Sequence, residues 1–422
     1  MAELGHDVVG VDVDAHKVEL LSNGRAPFFE PELEDLLARN VDAGRLTFTQ
    51  DFSAIEGAQI HFIGVGTPQS ESGAADMTYV DAAVSSMLPH LGYCTSGPEV
   101  VAGKSTVPVG TASRLAQAIE PTGALLVWNP EFLREGFAVQ DTLRPDRMVY
   151  GLPADPGAAT KAQEAMDAVY EQILISGTPR LLMDYATAEL VKISANAFLA
   201  TKISFINAMS QICDAAGANV TALAEAIGMD DRIGRRFLRA GIGFGGGCLP
   251  KDIRAFQARA DELGVGDALT FLAEVDKVND TMRAGVIRTV RGLLGDRLAG
   301  ATVTVLGAAF KPDSDDMRNS PALDLAVELA HLAKRVVVHD PAAGPILAER
   351  SNRPYEVALS AHSALEGTDL VLIGTEWREY RDLDPAQAAD LVRTRYVIDG
   401  RNCLDAQAWK AAGWSYRGIG RR

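Results

Sequence analysis

The residues with the sharpest chemical meaning are Gly-Phe-Gly-Gly-Gly-Cys-Leu-Pro-Lys-Asp, residues 243 to 252. Glycines precede a cysteine and a proline stands where a helix can begin, which predicts Cys248 beside a helix N-terminus with Lys251 and Asp252 in the first turn. Positive backbone potential and a nearby ammonium favour thiolate over thiol there, so Cys248 is a candidate nucleophile. A lone cysteine is more commonly a buried apolar residue. The glycine run weighs toward chemistry, because glycines that expose backbone N–H groups are poor core formers and good seats for an anion or ligand. Cys94, Cys213 and Cys403 lack such surroundings and are assigned to structure. The four cysteines form no CxxC and no Cys/His ligand pattern, so neither a disulfide framework nor a metal site is expected.

Lys192 and Asn196 lie four apart and therefore share a helix face. A lysine inside an apolar helix is expensive unless its ammonium meets a carboxylate, an oxyanion or water. One reading is a side chain that snorkels to the surface. The other is a polar cluster facing a reacting oxygen, in which Lys192 stabilises negative charge and Asn196 holds a water or hydroxyl. Lys104-Ser-Thr-Val-Pro and Asn129-Pro-Glu-Phe-Leu-Arg-Glu each follow a strand pattern, and ligands in open α/β sheets bind beyond the carboxyl ends of strands. Thr106, Glu131 and Glu135 are therefore aimed at such a crevice, although either glutamate alone also reads as a solvated charge. Leu306-Gly-Ala-Ala-Phe-Lys-Pro-Asp and Val397-Ile-Asp-Gly-Arg-Asn aim Lys311 and Arg401 at one edge, where two cations suit a diphosphate; ordinary surface cations are the competing reading.

These residues need a scaffold. Runs at Asp7 to Val13, Gln59 to Val65, Glu99 to Ala102, Leu125 to Trp128 and Met148 to Tyr150 read as buried parallel strands alternating with helices. From about Tyr185 to Ala226 strand signals stop, and a run apolar on nearly all sides predicts a long helix packed between domains or against its own copy in a second subunit. Strand signals resume at Thr302 to Leu306, Arg335 to His339, Asp369 to Ile373 and Arg395 to Ile398. The expected fold is α/β, with two sheet domains flanking a helical one.

Asp12, closing Asp-Val-Val-Gly-Val-Asp, suits the acid that ends the second strand of a dinucleotide-binding unit and accepts ribose hydroxyls; a turn-forming aspartate is the competing reading. Only eleven residues precede it, and neither a first strand nor a phosphate-cradling glycine turn stands among them. The expectation is a natural start upstream; for the 422-residue chain alone it is weak NAD binding and an unpaired sheet edge. Forty basic against 56 acidic residues give a net charge of −16, which argues against general nucleic-acid binding. No apolar run approaches a membrane span, and the first residues lack the basic and apolar regions of a secretory leader, so a cytoplasmic location is expected.

Taken together, these segments resemble the nucleotide-sugar dehydrogenase family, that of the UDP-glucose and GDP-mannose dehydrogenases. Nine motifs carry the resemblance in order: Glu30-Pro-Glu-Leu-Glu, Gly64-Val-Gly-Thr-Pro, Lys104-Ser-Thr-Val-Pro, Asn129-Pro-Glu-Phe-Leu-Arg-Glu-Gly, Lys192 to Asn196, Arg232-Ile-Gly, the cysteine loop, Phe310-Lys-Pro and Asp399-Gly-Arg. The resemblance implies two Rossmann-like doubly wound domains joined by a central helical domain: an NAD-binding domain over residues 1–185, a dimerising helical domain over 186–285 and a UDP-sugar domain over 286–422. It further implies NAD-dependent four-electron oxidation of UDP-glucose to UDP-glucuronate through an aldehyde, a thiohemiacetal and a thioester on Cys248. Lys192, Asn196 and Asp252 are the implied polar partners of Cys248, with Thr106 and Glu135 completing the site through an ordered water. Phe132, Leu133, Glu135, Lys192, Asn196, Phe244, Gly245, Gly246, Lys311 and Arg401 are implied for the sugar nucleotide, and Arg232 for the neighbouring subunit's site in a homodimer or larger homo-oligomer. Asp12 and Lys17 are implied for the NAD ribose, with Thr67, Thr106, Glu135 and Arg318 along its groove. Gly247 departs from the family, where many relatives have serine. The alternatives are a sister enzyme acting on GDP-mannose or a UDP-N-acetylhexosamine, a one-step hydroxyacid dehydrogenase, and an inactive sugar-nucleotide-binding fragment.

Overall fold

Residues 1–421 are described, in a computed structural model. The chain divides into two compact units, Met1–Ala195 with Arg254–Gly266, and Asn196–Ile253 with Asp267–Arg422. In the first unit β1 (Val8–Val11) pairs in parallel with β2 (Leu46–Thr49), Val8 opposite Leu46 and Val11 opposite Thr49. A second sheet takes β3 (Ile60–Ile63), β4 (Val100–Gly103), β5 (Leu125–Trp128), β6 (Met148–Leu152) and β7 (Arg180–Asp184) in that order. Its ladders are parallel except between β5 and β6, where Trp128 faces Gly151.

The period-2 geometry of a strand sends alternate residues to opposite faces, and this sheet uses both. Val101, Leu126 and Trp128 pack against helices Thr78–Met87 and Thr111–Ile119, which present Val80, Val84 and Met87, and Ala112, Leu115 and Ile119, at helical spacing. Val100, Ala102 and Val127 pack the opposite way, against Ala162, Ala165 and Met166 of helix Pro156–Val169. The segment from Asp7 to Val13 departs from its expected burial: β1 has a single strand partner, and Val9 is exposed on its open side.

The second unit has a six-stranded, wholly parallel sheet of β8 (Thr302–Leu306), β9 (Arg335–His339), β10 (Glu356–Val357), β11 (Leu370–Ile373), β12 (Tyr396–Asp399) and β13 (Ser415–Gly418). The order β10-β9-β8-β11-β12-β13 is the doubly wound one, and it reverses direction between β8 and β11. Those two strands, Thr-Val-Thr-Val-Leu and Leu-Val-Leu-Ile, are buried along their whole length, as central strands covered on both faces must be.

Helix Tyr185–Ala216 is continuous over 32 residues, and the division between the units falls inside it. It buries Ile193, Ala197, Ala200 and Ile206 as an apolar run suggests, but polar residues are buried beside them and large apolar ones are left outside. Glu189, Lys192, Asn196, Ser204, Asn207 and Ser210 are buried, whereas Phe198, Phe205 and Ile212 are 66%, 50% and 61% exposed. The latter recur every seven residues and so share one face. Among the described residues no helix is long and apolar enough to cross a membrane.

The sheet core sets the stability of the second unit. Leu372, fully buried in the middle of β11, has neighbours on both faces, and truncating such a leucine removes both its transfer free energy and its packing. Leu372→Ala is expected to cost about 2–5 kcal/mol, read as a lower urea midpoint at unchanged slope.

Candidate active site

In the first unit Lys192 does not snorkel. Its side chain is 7% exposed, and Nζ lies 3.1 Å from Glu131 Oε1 and 5.6 Å from the centre of the Phe132 ring. The other carboxylate oxygen of Glu131 accepts the Leu133 N–H at 2.7 Å, so one glutamate orders the chain through Phe132 and the exposed Leu133. That segment is held again from the side by Glu30, a buried carboxylate accepting the N–H groups of Gly136 and Ala138 at 2.7 Å each. Half-buried Glu135 sits between these two anchors. Glu189, four positions before Ile193 on the long helix, accepts the N–H groups of Gly110 at 2.7 Å and Ala112 at 2.6 Å. It thereby fixes the loop that runs from β4 into helix Thr111–Ile119. Within that loop the Thr106 carbonyl accepts the Thr67 hydroxyl at 2.7 Å, and Ser105 donates to the Val65 carbonyl at 2.6 Å, joining the ends of β3 and β4.

Near Glu131 lies a half-buried lysine that sequence reasoning left inside a motif. Lys104 Nζ donates to Asn129 Oδ1 at 3.0 Å and sits 5.7 Å and 5.8 Å from the ring centres of Phe62 and Tyr170. Burial pushes its pKa down to about 8, against the attraction of Glu131 and with the help of Lys192's like charge. At the end of β1, Asp12 accepts the Asp14 N–H at 2.9 Å and lies 3.6 Å from Lys17 Nζ, with both side chains well exposed.

In the second unit Cys248 is exposed and immediately precedes helix Leu249–Glu262, whose first intrahelical bond runs from the Asp252 N–H to the Cys248 carbonyl at 2.9 Å. Asp252 is 1% exposed; its Oδ2 accepts the Asn196 amide at 2.6 Å and its Oδ1 lies 2.7 Å from Lys251 Nζ. The glycine run before Cys248 differs from expectation. Residues 241 to 246 are buried rather than open. Several of their amides are also spent, with Gly241 donating to Asn207 Oδ1, Phe244 to Asn279 Oδ1 at 2.7 Å, and Gly246 to the Arg318 carbonyl at 2.8 Å. These positions spell G-x-G-x-x-G, yet no strand runs into them. The physical need for glycine is close approach. A Cβ on Gly246, whose φ is 84°, would lie 2.8 Å from the Phe310 ring, and one on Gly247 would lie 2.4 Å from the Arg318 guanidinium carbon. Glycine at 247 therefore leaves room for Arg318, which also pairs with Asp316 at 2.8 Å.

Asn279 clamps Phe244 from both sides, its Nδ2 donating to the Phe244 carbonyl at 3.0 Å while its Oδ1 takes the amide. The signal was present in the sequence as a polar residue interrupting the buried stripe Leu272, Val275, Asn279, Met282, Val286 of helix Thr270–Leu294. Arg401 donates from Nε to the Gly374 carbonyl at 2.8 Å, from Nη1 to the Gly243 carbonyl at 2.8 Å and from Nη2 to the Phe310 carbonyl at 3.2 Å. It stitches three loops together, and Asp399 holds its own turn by accepting the amides of Arg401, Cys403 and Leu404. Lys311 Nζ lies 5.0 Å from the centre of the Phe310 ring. Arg232 stands apart from these groups, 89% exposed at its side chain and paired with Asp230 at 2.6 Å.

Comparison with known proteins gives this arrangement its place. Three successive stretches match the UDP-glucose/GDP-mannose dehydrogenase family: residues 1–174 its NAD binding domain, 186–281 its central domain and 304–406 its UDP binding domain. The chain belongs to the UDP-glucose/GDP-mannose dehydrogenase family. It is 40% identical to the UDP-glucose 6-dehydrogenase TuaD of Bacillus subtilis (strain 168), over all of this chain and 89% of that one. It is 39% identical to a UDP-glucose 6-dehydrogenase of Rhizobium meliloti (strain 1021), over all of this chain and 95% of that one. Among solved structures, a UDP-glucose dehydrogenase of Pyrobaculum islandicum matches at a TM-score of 0.88 and 36% identity, covering all of this chain and 94% of that one. The family assignment makes this protein an oxidoreductase with an NAD-binding domain ahead of its UDP-binding one.

The partial burial of Lys104 fixes the sign of its contribution to stability as pH rises. Between about pH 8 and 10.5 the unfolded chain keeps a proton that folded Lys104 has released, so the penalty of burying the charge is full below pH 8 and gone above 10.5. Lys104→Met keeps the length, and Asn129 Oδ1 retains the Tyr170 hydroxyl at 2.8 Å. The variant is expected to be more stable than wild type at pH 7, by roughly 3 kcal/mol at most, with the gap narrowing as pH rises above about 8 in denaturant titrations.

Proposed function

We propose that this protein oxidises the C6 alcohol of UDP-glucose to the carboxylate of UDP-glucuronate, with Cys248 carrying the intermediate. The observation that carries the reading is the exposed Cys248 at the start of helix Leu249–Glu262, one turn before a buried Asp252 gripped by Asn196 and Lys251. A thiol at a helix N-terminus is biased toward thiolate. A one-step dehydrogenase has no use for such a sulfur. The named relatives at 39–40% identity are UDP-glucose 6-dehydrogenases, which favours that sugar nucleotide.

NAD would supply the hydride acceptor, one molecule for each of the two oxidations in succession, since each takes a single hydride. The residues fit its ribose end: Asp12 projects from the end of β1 with its carboxylate still exposed, as an acceptor for ribose hydroxyls requires, and Lys17 stands beside it. Thr67, Thr106, Glu135 and Arg318 line the rest of the groove in this reading. At the aldehyde stage Cys248 Sγ adds to C6, a C–S bond forms, and the carbonyl oxygen becomes an oxyanion that the Lys192 ammonium stabilises. The second oxidation leaves C6 as a thioester. A water held by Asn196 and Glu135 adds to it, Asp252 takes one proton, the C–S bond breaks to restore the thiolate, and the carboxylic acid so formed gives its remaining proton to solvent as it leaves as the carboxylate. Phe132, Leu133, the loop from Phe244 to Gly246 and Lys311 hold the sugar nucleotide, and Arg401 acts with them by fixing the loops on which Phe244 and Lys311 sit.

The functional domains in this reading are residues 1–185 for NAD, 186–285 for dimerisation and 286–422 for the UDP-sugar. The helix Tyr185–Ala216 supports the dimer, since it spends its polar residues inward and leaves Phe198, Phe205 and Ile212 in one exposed row. Arg232, exposed and paired only within its own turn, reaches the neighbouring subunit's site.

Two measurements test these claims. NADH formed per UDP-glucose consumed is expected to be two, and Cys248→Ser is expected to release no free uronate; normal turnover by that variant removes the sulfur from the mechanism. Phe205→Glu puts charge into the apolar row and is expected to yield monomers in sedimentation velocity where wild type is at least dimeric.

A further inference from the structure

Asp340 follows directly on β9 and is 2% exposed, and its carboxylate is surrounded by N–H donors. Oδ2 accepts Ala308 N–H at 2.7 Å, Ala309 N–H at 2.9 Å and the Trp377 indole N–H at 3.1 Å. Oδ1 accepts Ala342 N–H at 3.0 Å and Ala343 N–H at 2.8 Å. Five donors from three segments meet one carboxylate. Two of those segments leave the C-terminal ends of β8 and β11, the strands between which the doubly wound order reverses. That is where a ligand crevice lies in such a sheet, and the turn after the first strand is where its amides ordinarily meet a ligand's anionic group. Here the turn, entered through Gly307 at φ 108°, has its Ala308 and Ala309 amides filled by the protein's own carboxylate.

We propose that Asp340 is a positioning residue for nucleotide binding: it occupies the anion seat after β8, keeps the ligand's diphosphate out of it, and fixes the loops that carry Phe310, Lys311 and Glu376. The loops so fixed are tied to each other at two more points, the Thr375 hydroxyl donating to the Ala309 carbonyl at 2.5 Å and Arg401 reaching both Gly374 and Phe310. The diphosphate is thus met by side-chain cations on a pre-set loop instead of by loop amides. This inference rests on the reading that the second unit seats the UDP moiety.

An asparagine at this position has a single acceptor oxygen and turns an NH2 toward N–H donors, so Asp340→Asn leaves one side of the nest unmet at constant volume. Asp340→Ala empties the nest, leaving room for a small carboxylate. Calorimetric titration with UDP and with NAD, on protein whose melting curve shows it folded, separates the possibilities. The expected result is UDP affinity at least tenfold weaker in both variants with NAD affinity within twofold of wild type, and recovery of UDP binding by Asp340→Ala in formate compared with chloride at equal ionic strength. UDP affinity within twofold of wild type in a folded variant, or weakening in Asp340→Ala that formate does not reverse, overturns the positioning role. If Asp340→Ala does not fold, Asp340→Asn decides by its kinetics. A raised KM for UDP-glucose at unchanged kcat and unchanged KM for NAD supports the role, and any other split overturns it. Wild-type protein that takes up no UDP defeats the functional reading, whereas wild-type uptake with unaltered variants defeats the inference alone.

Discussion

A polar group withdrawn from water must find a partner or cost several kilocalories per mole, and the helix Tyr185–Ala216 turns that requirement into a positioning device. Most buried polar residues along it are answered, the amide nitrogen of Asn207 being the exception. Glu189 takes two loop amides, Lys192 meets Glu131, Asn196 donates to Asp252, Ser204 donates to the Val275 carbonyl at 2.7 Å, and Asn207 accepts from Gly241. An all-apolar helix of the same length would bury as much surface and specify less. Its neighbours would be free to slide, because apolar contacts are non-directional, whereas each of these bonds fails beyond about half an ångström of displacement. The helix therefore fixes the loops around it to within hydrogen-bonding tolerance.

The same logic recurs with carboxylates whose partners are mainly N–H groups rather than cations. Glu30, Glu189, Asp340 and Asp399 each hold two or more backbone amides, and the amides they hold lie where a loop leaves a strand or enters a helix. Hydrogen bonds to a charged group contribute more than neutral ones, about 1.5–3 kcal/mol against roughly 1. They also bind backbone, so they order the loop itself and leave neighbouring side chains to serve a ligand. A chain with a net charge of −16 thus spends part of its acid internally, as loop anchors.

What was legible in the sequence was whatever rests on local periodicity. Thr-Val-Thr-Val-Leu at residues 302 to 306 has one sensible fate, a central strand, and Pro250 two residues after a cysteine marks a helix start; both are found as read. β7 was invisible because it is an exposed edge, with Leu181 and Leu182 facing outward and no burial pattern to betray it. Arg401 reads from spacing as a cation at a strand end, but nothing local says that three carbonyls from positions 243, 310 and 374 converge on it. Glu30 and Asp340 were illegible for the same reason. Their partners lie more than a hundred and about thirty residues away respectively, and a carboxylate that binds distant amides looks in sequence like any surface acid.

The glycine loop shows how the same residues can satisfy a rule for a different reason. Glycine-rich turns suggest amides open to an anion, yet here the amides of Gly241, Phe244 and Gly246 are consumed by Asn207, Asn279 and the Arg318 carbonyl. Glycine is needed because backbone packs directly on Phe310. This bears on the proposed reaction. Those three amides are not offered to a ligand, and the proposed reaction assigns the charge on a trapped carbonyl to a side-chain cation instead. Lys192, buried and paired with Glu131, keeps its ammonium from bulk water, and such a cation acts with a strength that an exposed one loses to screening. The loop's contribution is rigidity: it holds the cysteine's backbone still while Cys248 itself remains exposed.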